Sequence, residues 1–224
     1  PFTVFAPTDA AFAKLPKGTV EDLLKKKNRG ALTTILTFHV VPGEVSAKQV
    51  VKLKNAASLN GQRIGIQVDK KGVQVAGARV VTTDIKCGNG IIHVIDTVML
   101  PSTKNIVQTA AGAGTFNTLV AAAKAAGLAE ALQGEGPFTI FAPTDEAFAA
   151  LPEGTVESLL LPENRDKLQA ILKYHVVSGR VYSDQLKSSR VPTLQGSTLG
   201  VRVEKDRITV GGATVRMADI DTTN

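Results

Sequence analysis

Sixteen residues at the start of the chain, PFTVFAPTDAAFAKLP, return at position 137 as PFTIFAPTDEAFAALP. No other feature restricts the fold so strongly, because a repeat of this length means one architecture built twice. At an offset of 136, residues 1–49 align with 137–185 without a gap, and about 30 of the 49 positions are identical. One deletion then shifts the offset to 135, pairing SLNGQRIGIQV with TLQGSTLGVRV and, further on, GARVVTTDI with GATVRMADI. A period of roughly 135 residues is far longer than a solenoid repeat, and 224 residues suit two ordinary domains.

The two copies are cut differently. Residues 105–136 precede the second copy and have no counterpart ahead of the first. The segment GIIHVIDTVMLP (90–101) closes the first copy and has no counterpart after the second. The expected units are therefore 1–104 and 105–224, the first without its opening helices and the second without its closing strand. Such ends would leave apolar edges through which chains self-associate.

Within each copy the pattern predicts an α+β unit. FTVFA is β-rich, and Thr8 or Asp9 then caps a short helix that buries Phe12 and Leu15. TVEDLL and TVESLL open on threonine, a capping signal, and ALTTILTFHV carries Leu32, Ile35, Leu36 and His39 at helical spacing. Ser46 caps a further short helix. From Ser58 onward the period changes to two, with Asn60-Gly61 and Lys71-Gly72 as turns. Residues 116–132 read as a helix with Phe116, Leu119, Val120 and Ala123 on one face and Gly127 near its end.

Composition excludes several classes. Hydrophobic residues are 43% and charged residues 21%, an ordinary globular balance, and no apolar run reaches the roughly 18 residues of a membrane span. Cys87, the single cysteine, cannot form an intrachain disulfide, and the second copy has Thr222 in its place. No G-x-S-x-G, H-E-x-x-H or phosphate-binding glycine loop is present, nor any N-x-S/T sequon.

The repeated residues resemble those of the fasciclin (FAS1) domain family. TVFAPTDAAF and TIFAPTDEAF resemble its first box, Phe38-His39 and Tyr174-His175 its central aromatic-histidine motif, and NGIIHVID (89–96) its second box, which the second copy lacks. The resemblance covers essentially the whole chain. It implies two tandem units, each a wedge-like β-sandwich with packed helices, in a secreted or surface-anchored protein of adhesion or matrix assembly. In matrix members of the family, adhesion to integrins is assigned to an Asp-Ile motif before the second box and to the aromatic-histidine region. By that resemblance the adhesion candidates are Asp84, Ile85, Asp219 and Ile220, with Phe38, His39, Tyr174 and His175.

The remaining candidates come from the residues themselves. His39 and His175 recur in both copies, as do Asp9 and Asp145. A His-carboxylate pair orients an imidazole for base catalysis or metal binding, or else the buried ring bonds the aspartate or a backbone carbonyl and locks helix to strand. The second alternative makes Asp9 and Asp145 structural, along with His93, which alternates with apolar residues in a strand. No catalytic residue, metal site or cofactor is expected, and three histidines are too few for a His-rich zinc site in one unit. An alternative function is a small-ligand carrier or enzyme with a pocket near the central histidines.

Charge is uneven. Residues 1–104 hold 15 Lys and Arg against 7 Asp and Glu, whereas residues 105–224 hold 11 against 13. The excess centres on Lys25, Lys26, Lys27 and Arg29, with Lys52, Lys54, Lys70 and Lys71 adding to it. It marks either attraction to a polyanion such as an acidic polysaccharide, or a solvated helix end where cations meet the C-terminal dipole. Nucleic acid is not expected as a partner, since aromatics are only 4% and no stacking platform is evident. The sequence thus leads to a non-enzymatic extracellular module binding proteins, such as an integrin-like receptor, or polysaccharides.

Overall fold

The computed structural model describes residues 1–205 and 207–224. Its internal contacts divide the chain into two units, Pro1–Ser102 and Thr103–Asn224. Both are α+β.

The first unit opens with strand β1 (Phe2–Pro7) and helix α1 (Asp9–Ala13). Helices α2 (Thr19–Leu23) and α3 (Arg29–Phe38) follow, then β2 (Val40–Pro42) and α4 (Ala47–Val50). The sheet continues with β3 (Asn55–Ala57), β4 (Arg63–Asp69), β5 (Gly72–Val75), β6 (Ala78–Cys87) and β7 (Gly90–Ile95). Seven strands form one sheet in the order β2-β1-β7-β6-β5-β4-β3. The last strand, β7, lies at its centre. It pairs parallel with β1 from Phe2↔Gly90 to Pro7↔Ile95 and antiparallel with β6. Period-two alternation buries Ile64 and Ile66 of β4 and Val75 of β5, which join Phe5, Phe38, Val41, Ile95 and Met99 in one core.

The second unit begins with two helices, α5 (Ile106–Gly112) and α6 (Asn117–Ala125). It then repeats the scheme as β8 (Phe138–Ile140), α7 (Asp145–Ala149), α8 (Thr155–Leu159), α9 (Arg165–Tyr174) and β9 (Val176–Ser178). Strands β10 (Ser189–Pro192), β11 (Thr198–Glu204), β12 (Arg207–Val210) and β13 (Ala213–Thr214) complete it. With no equivalent of β7 between them, β8-β9 and β10-β11-β12-β13 form separate sheets, and β13 keeps two residues where β6 has ten. The apolar residues divide accordingly. Ala122, Ala126, Leu168 and Leu172 pack between α6 and α9, while Leu199, Val201 and Val210 line the four-stranded sheet.

Local expectations are corrected at several points. Thr8, not Asp9, caps α1, and that helix buries Ala11 while Phe12 stays 40% exposed. Thr19 and Thr155 are the first helical residues rather than caps, the cap positions being Gly18 and Gly154 at φ 83° and 76°. Helix α6 ends at Ala125, where Gly127 at φ 69° turns the chain into a short 3-10 segment. Leu36 of α3 is 54% exposed although its repeat equivalent Leu172 is 6% exposed, because α6 covers α9.

Candidate functional site

The three histidines are fixed by hydrogen bonds, none of which goes to a carboxylate. His39 follows α3 and is buried. Its Nε2 accepts from the Met99 amide at 3.0 Å, so the proton sits on Nδ1, which donates to the Ile35 carbonyl at 2.8 Å. With both nitrogens engaged it joins a helix end to the segment after β7. Burial pushes its pKa down, opposed by the bond to Ile35. His175 repeats the Nδ1 contact, 2.9 Å from the Ile171 carbonyl, and is half-buried. His93 is buried in β7. Its Nδ1 accepts from the Asp84 amide at 3.3 Å and its Nε2 donates to the Val45 carbonyl at 2.8 Å.

The first-box aspartates lie elsewhere. Asp145 sits at the start of α7 and accepts from the Thr118 amide at 2.7 Å and from the Asn117 amide and side chain at 3.2 and 3.0 Å. It therefore ties the first turn of α6 to α7, and these bonds, Thr118 foremost, hold its carboxyl below the usual range. Asp9, with no preceding helix in the first unit, is exposed in the first turn of α1. Among the described contacts neither aspartate bonds a histidine: Asp145 is spent on α6, and the histidines are spent on backbone groups.

The Asp-Ile dipeptides share a backbone conformation. Asp84 and Asp219 both take φ 60°, the left-handed region that aspartate enters more readily than most residues with a side chain. Asp84 interrupts the regular β6–β7 register, accepts from the Ala47 amide at the start of α4 at 2.9 Å, and gives its own amide to His93. Asp219 accepts from the Ser183 amide at 2.7 Å and the Ser183 hydroxyl at 2.5 Å. Both carboxylates are spent on the chain that follows β2 in the first unit and β9 in the second. The carboxylates are engaged although both aspartates are exposed, and each is followed by an exposed isoleucine, Ile85 at 42% and Ile220 at 49% exposure.

The preceding aromatics differ between units. Phe38 lies in the first core, while Tyr174 reaches the Thr198 carbonyl at 3.4 Å and meets His175 edge-on. Lys25 pairs with Asp22 at 3.0 Å just beyond α2, but Lys26, Lys27 and Arg29 lead into α3. These three exposed cations stand at the positive end of a helix, so the reading of a favourable C-terminal dipole applies to Lys25 alone. Among the described residues no cluster of three or more His, Cys, Asp or Glu is placed to hold a metal, and no helix is long and apolar enough to cross a membrane.

Thr3 is a structural tether whose role the sequence pattern did not reveal. Fully buried in β1, its hydroxyl donates to the Gly43 carbonyl and accepts from the Val45 amide, both at 2.8 Å. Thr139 repeats this with Gly179 and Val181 at 2.7 and 2.8 Å. The signal was a threonine kept at the same place in both copies of an otherwise apolar strand.

Comparison with known proteins adds the following. The model of the Fasciclin domain matches residues 1–101 and 114–224. Protein sll1483 of Synechocystis sp. is 55% identical over 131 residues, 58% of this chain and 73% of that protein. Transforming growth factor-beta-induced protein ig-h3 of Sus scrofa is 32% identical over 94% of this chain, and human periostin 31% over 93%. The chain spans 31% and 24% of those two proteins' own lengths. A solved FAS1 domain pair from the insect cell adhesion molecule fasciclin I covers the whole chain and 84% of its own at 19% identity, with a TM-score of 0.49.

Proposed function

The chain belongs to the fasciclin-domain family, and from that premise we propose that it is a non-enzymatic extracellular module of adhesion or matrix interaction, binding proteins or polysaccharides through exposed surfaces. The observation that carries this reading is the repeated Asp-Ile geometry. In both units the aspartate is clamped at φ 60° onto a backbone amide and the next residue, an isoleucine, is held in solvent. The same clamped turn recurs in both units and fixes where the exposed isoleucine stands, and a fixed exposed apolar side chain suits contact with a partner surface. The partner class is an integrin-like receptor or matrix protein, with acidic polysaccharide as a second ligand.

A catalytic or carrier function near the central histidines has less support. His39 has no free lone pair for a substrate proton, and in His175 Nδ1 is already committed to Ile171.

The test is adhesion of cells, and of purified matrix proteins, to the immobilised chain. In the double variant Ile85→Lys and Ile220→Lys the expected loss of retained cells is about tenfold, the scale of one or two exposed hot-spot side chains. The melting temperature should stay where it was, since both positions are exposed. Undiminished adhesion by this variant, or no adhesion by the wild type, would sink the proposal.

A further inference from the structure

The outer face of the four-stranded sheet in the second unit carries a groove of about 590 Å³ lined by Arg190, Gly200, Arg202, Glu204, Arg207 and Thr209, among others. Alternation along β11 separates its faces: Leu199 and Val201 go to the core, Gly200, Arg202 and Glu204 to solvent. Register then places the arginines. Arg190 lies opposite Gly200, Arg202 opposite Thr209, and Arg207 opposite Glu204. Each arginine is therefore the diagonal neighbour of the next, one strand over and one row along, a spacing of about 7–8 Å per step. Three arginine positions cross three strands in an oblique line.

The rest of the groove suits a polar, extended ligand. Its floor is low, because Gly200 and Gly212 present no side chain. A Cβ at Gly200 would meet no protein atom within 4 Å, so packing does not demand glycine there and its effect is to leave the groove open, whereas Gly212 at φ 88° serves the turn. Arg207 is steadied by the Thr214 hydroxyl at 2.8 Å, and no carboxylate among the described residues pairs with Arg190 or Arg202. Glu204 is the only acidic side chain in the described lining. The repeat supplies an internal control. The first unit keeps glycine at Gly65 but has Asn55, Gln67 and Gly72 where the second has Arg190, Arg202 and Arg207. The fold does not need the arginines.

We propose that this groove binds a linear acidic polysaccharide, its carboxylates or sulfates taken in turn by Arg190, Arg202 and Arg207. The inference rests on the adhesion-module reading above and assigns its polysaccharide ligand to the second unit instead of to the lysine-rich turn of the first. A guanidinium fork matches the planar carboxylate and the sulfate bidentately, and the Ser189 and Thr209 hydroxyls and bare glycines suit sugar rings. The lining holds no aromatic side chain for stacking nucleic-acid bases and no large exposed apolar side chain to enter a bilayer.

The experiment measures binding of heparin and of polygalacturonate to the full chain at low ionic strength, with dextran as the uncharged control. The triple variant Arg190→Ala, Arg202→Ala, Arg207→Ala should bind both polyanions at least about tenfold more weakly, with unchanged melting because the positions are exposed. The variant Lys25→Ala, Lys26→Ala, Lys27→Ala should bind nearly as wild type does. Equal binding by the arginine variant, a larger loss in the lysine variant, or tight binding of dextran would overturn the assignment, as would double-stranded DNA held more tightly than either polysaccharide with the same arginine dependence. Adhesion to matrix protein is read in parallel. Its survival in the arginine variant with polysaccharide binding lost supports two separate surfaces. Its dependence on Ile85 and Ile220 with polyanion binding unaffected by the arginines removes this proposal and leaves the adhesion reading standing.

Discussion

His39 shows how one side chain can look catalytic in a sequence and be structural in a fold. Its ring donates at one nitrogen and accepts at the other, so the neutral form is the one that fits. Because burial lowers its pKa from 6.5, the unfolded chain binds more protons than the folded one once the pH drops below that value. The stabilisation is therefore whole above pH 6.5 and is lost progressively as the pH falls through the unfolded and then the folded value. Thermal melts from neutral to mildly acidic pH should show this decline. His39→Gln can keep a donor for Ile35 and an acceptor for Met99, and its melts should decline less over the same interval. Identical slopes for the two proteins would mean that His39 does not set the acid sensitivity. Nothing in the sequence distinguishes this from a catalytic base, since His39, His175 and Asp9 or Asp145 repeat equally under either reading. The decision came from partners 4 and 60 residues away.

At the scale of elements, the strand that orders the first unit is the last one in it. β7 inserts between β1 and β6 and so converts two pieces of sheet into one of seven strands, which in the second unit remain separate. Gly90 starts β7 against the backbone of Phe2, and a Cβ there would fall inside the Phe2 carbonyl and amide. Gly90→Ala is expected to cost about 2–3 kcal/mol by forcing the β1–β7 pair apart. Gly65→Ala, where the added methyl meets nothing within 4 Å, should stay within about 0.5 kcal/mol of the wild type. Chemical denaturation of both variants decides it, and equal midpoints would show that the β1–β7 contact yields without cost. The helices and hairpins of this unit were readable from caps and from the change of period at Ser58. The central place of β7 was not, because apolar content gives a strand's burial and leaves its neighbours open.

For the molecule as a whole, the two units share a plan and differ in how completely each sheet is joined. Backbone amides of β1 and β7 lie in a continuous sheet, whereas β8 and β9 form a three-residue pair of their own, and an isolated two-stranded ribbon is marginal in water. Hydrogen exchange should therefore be slowest at β1, β6 and β7 and faster by at least about tenfold at β8 and β9. Equal protection of β1 and β8 would contradict the sheet topology. The sequence by itself determined the duplication, the α+β order of elements and the uneven charge, because each is written in local spacing or in self-similarity. Only the tertiary structure decided that Asp84 and Asp219 are caps, that the histidines are spent on backbone groups, and that Arg190, Arg202 and Arg207 fall on one line. Those facts depend on strand register and on contacts between residues far apart in the chain, which the pattern of neighbouring residues does not encode.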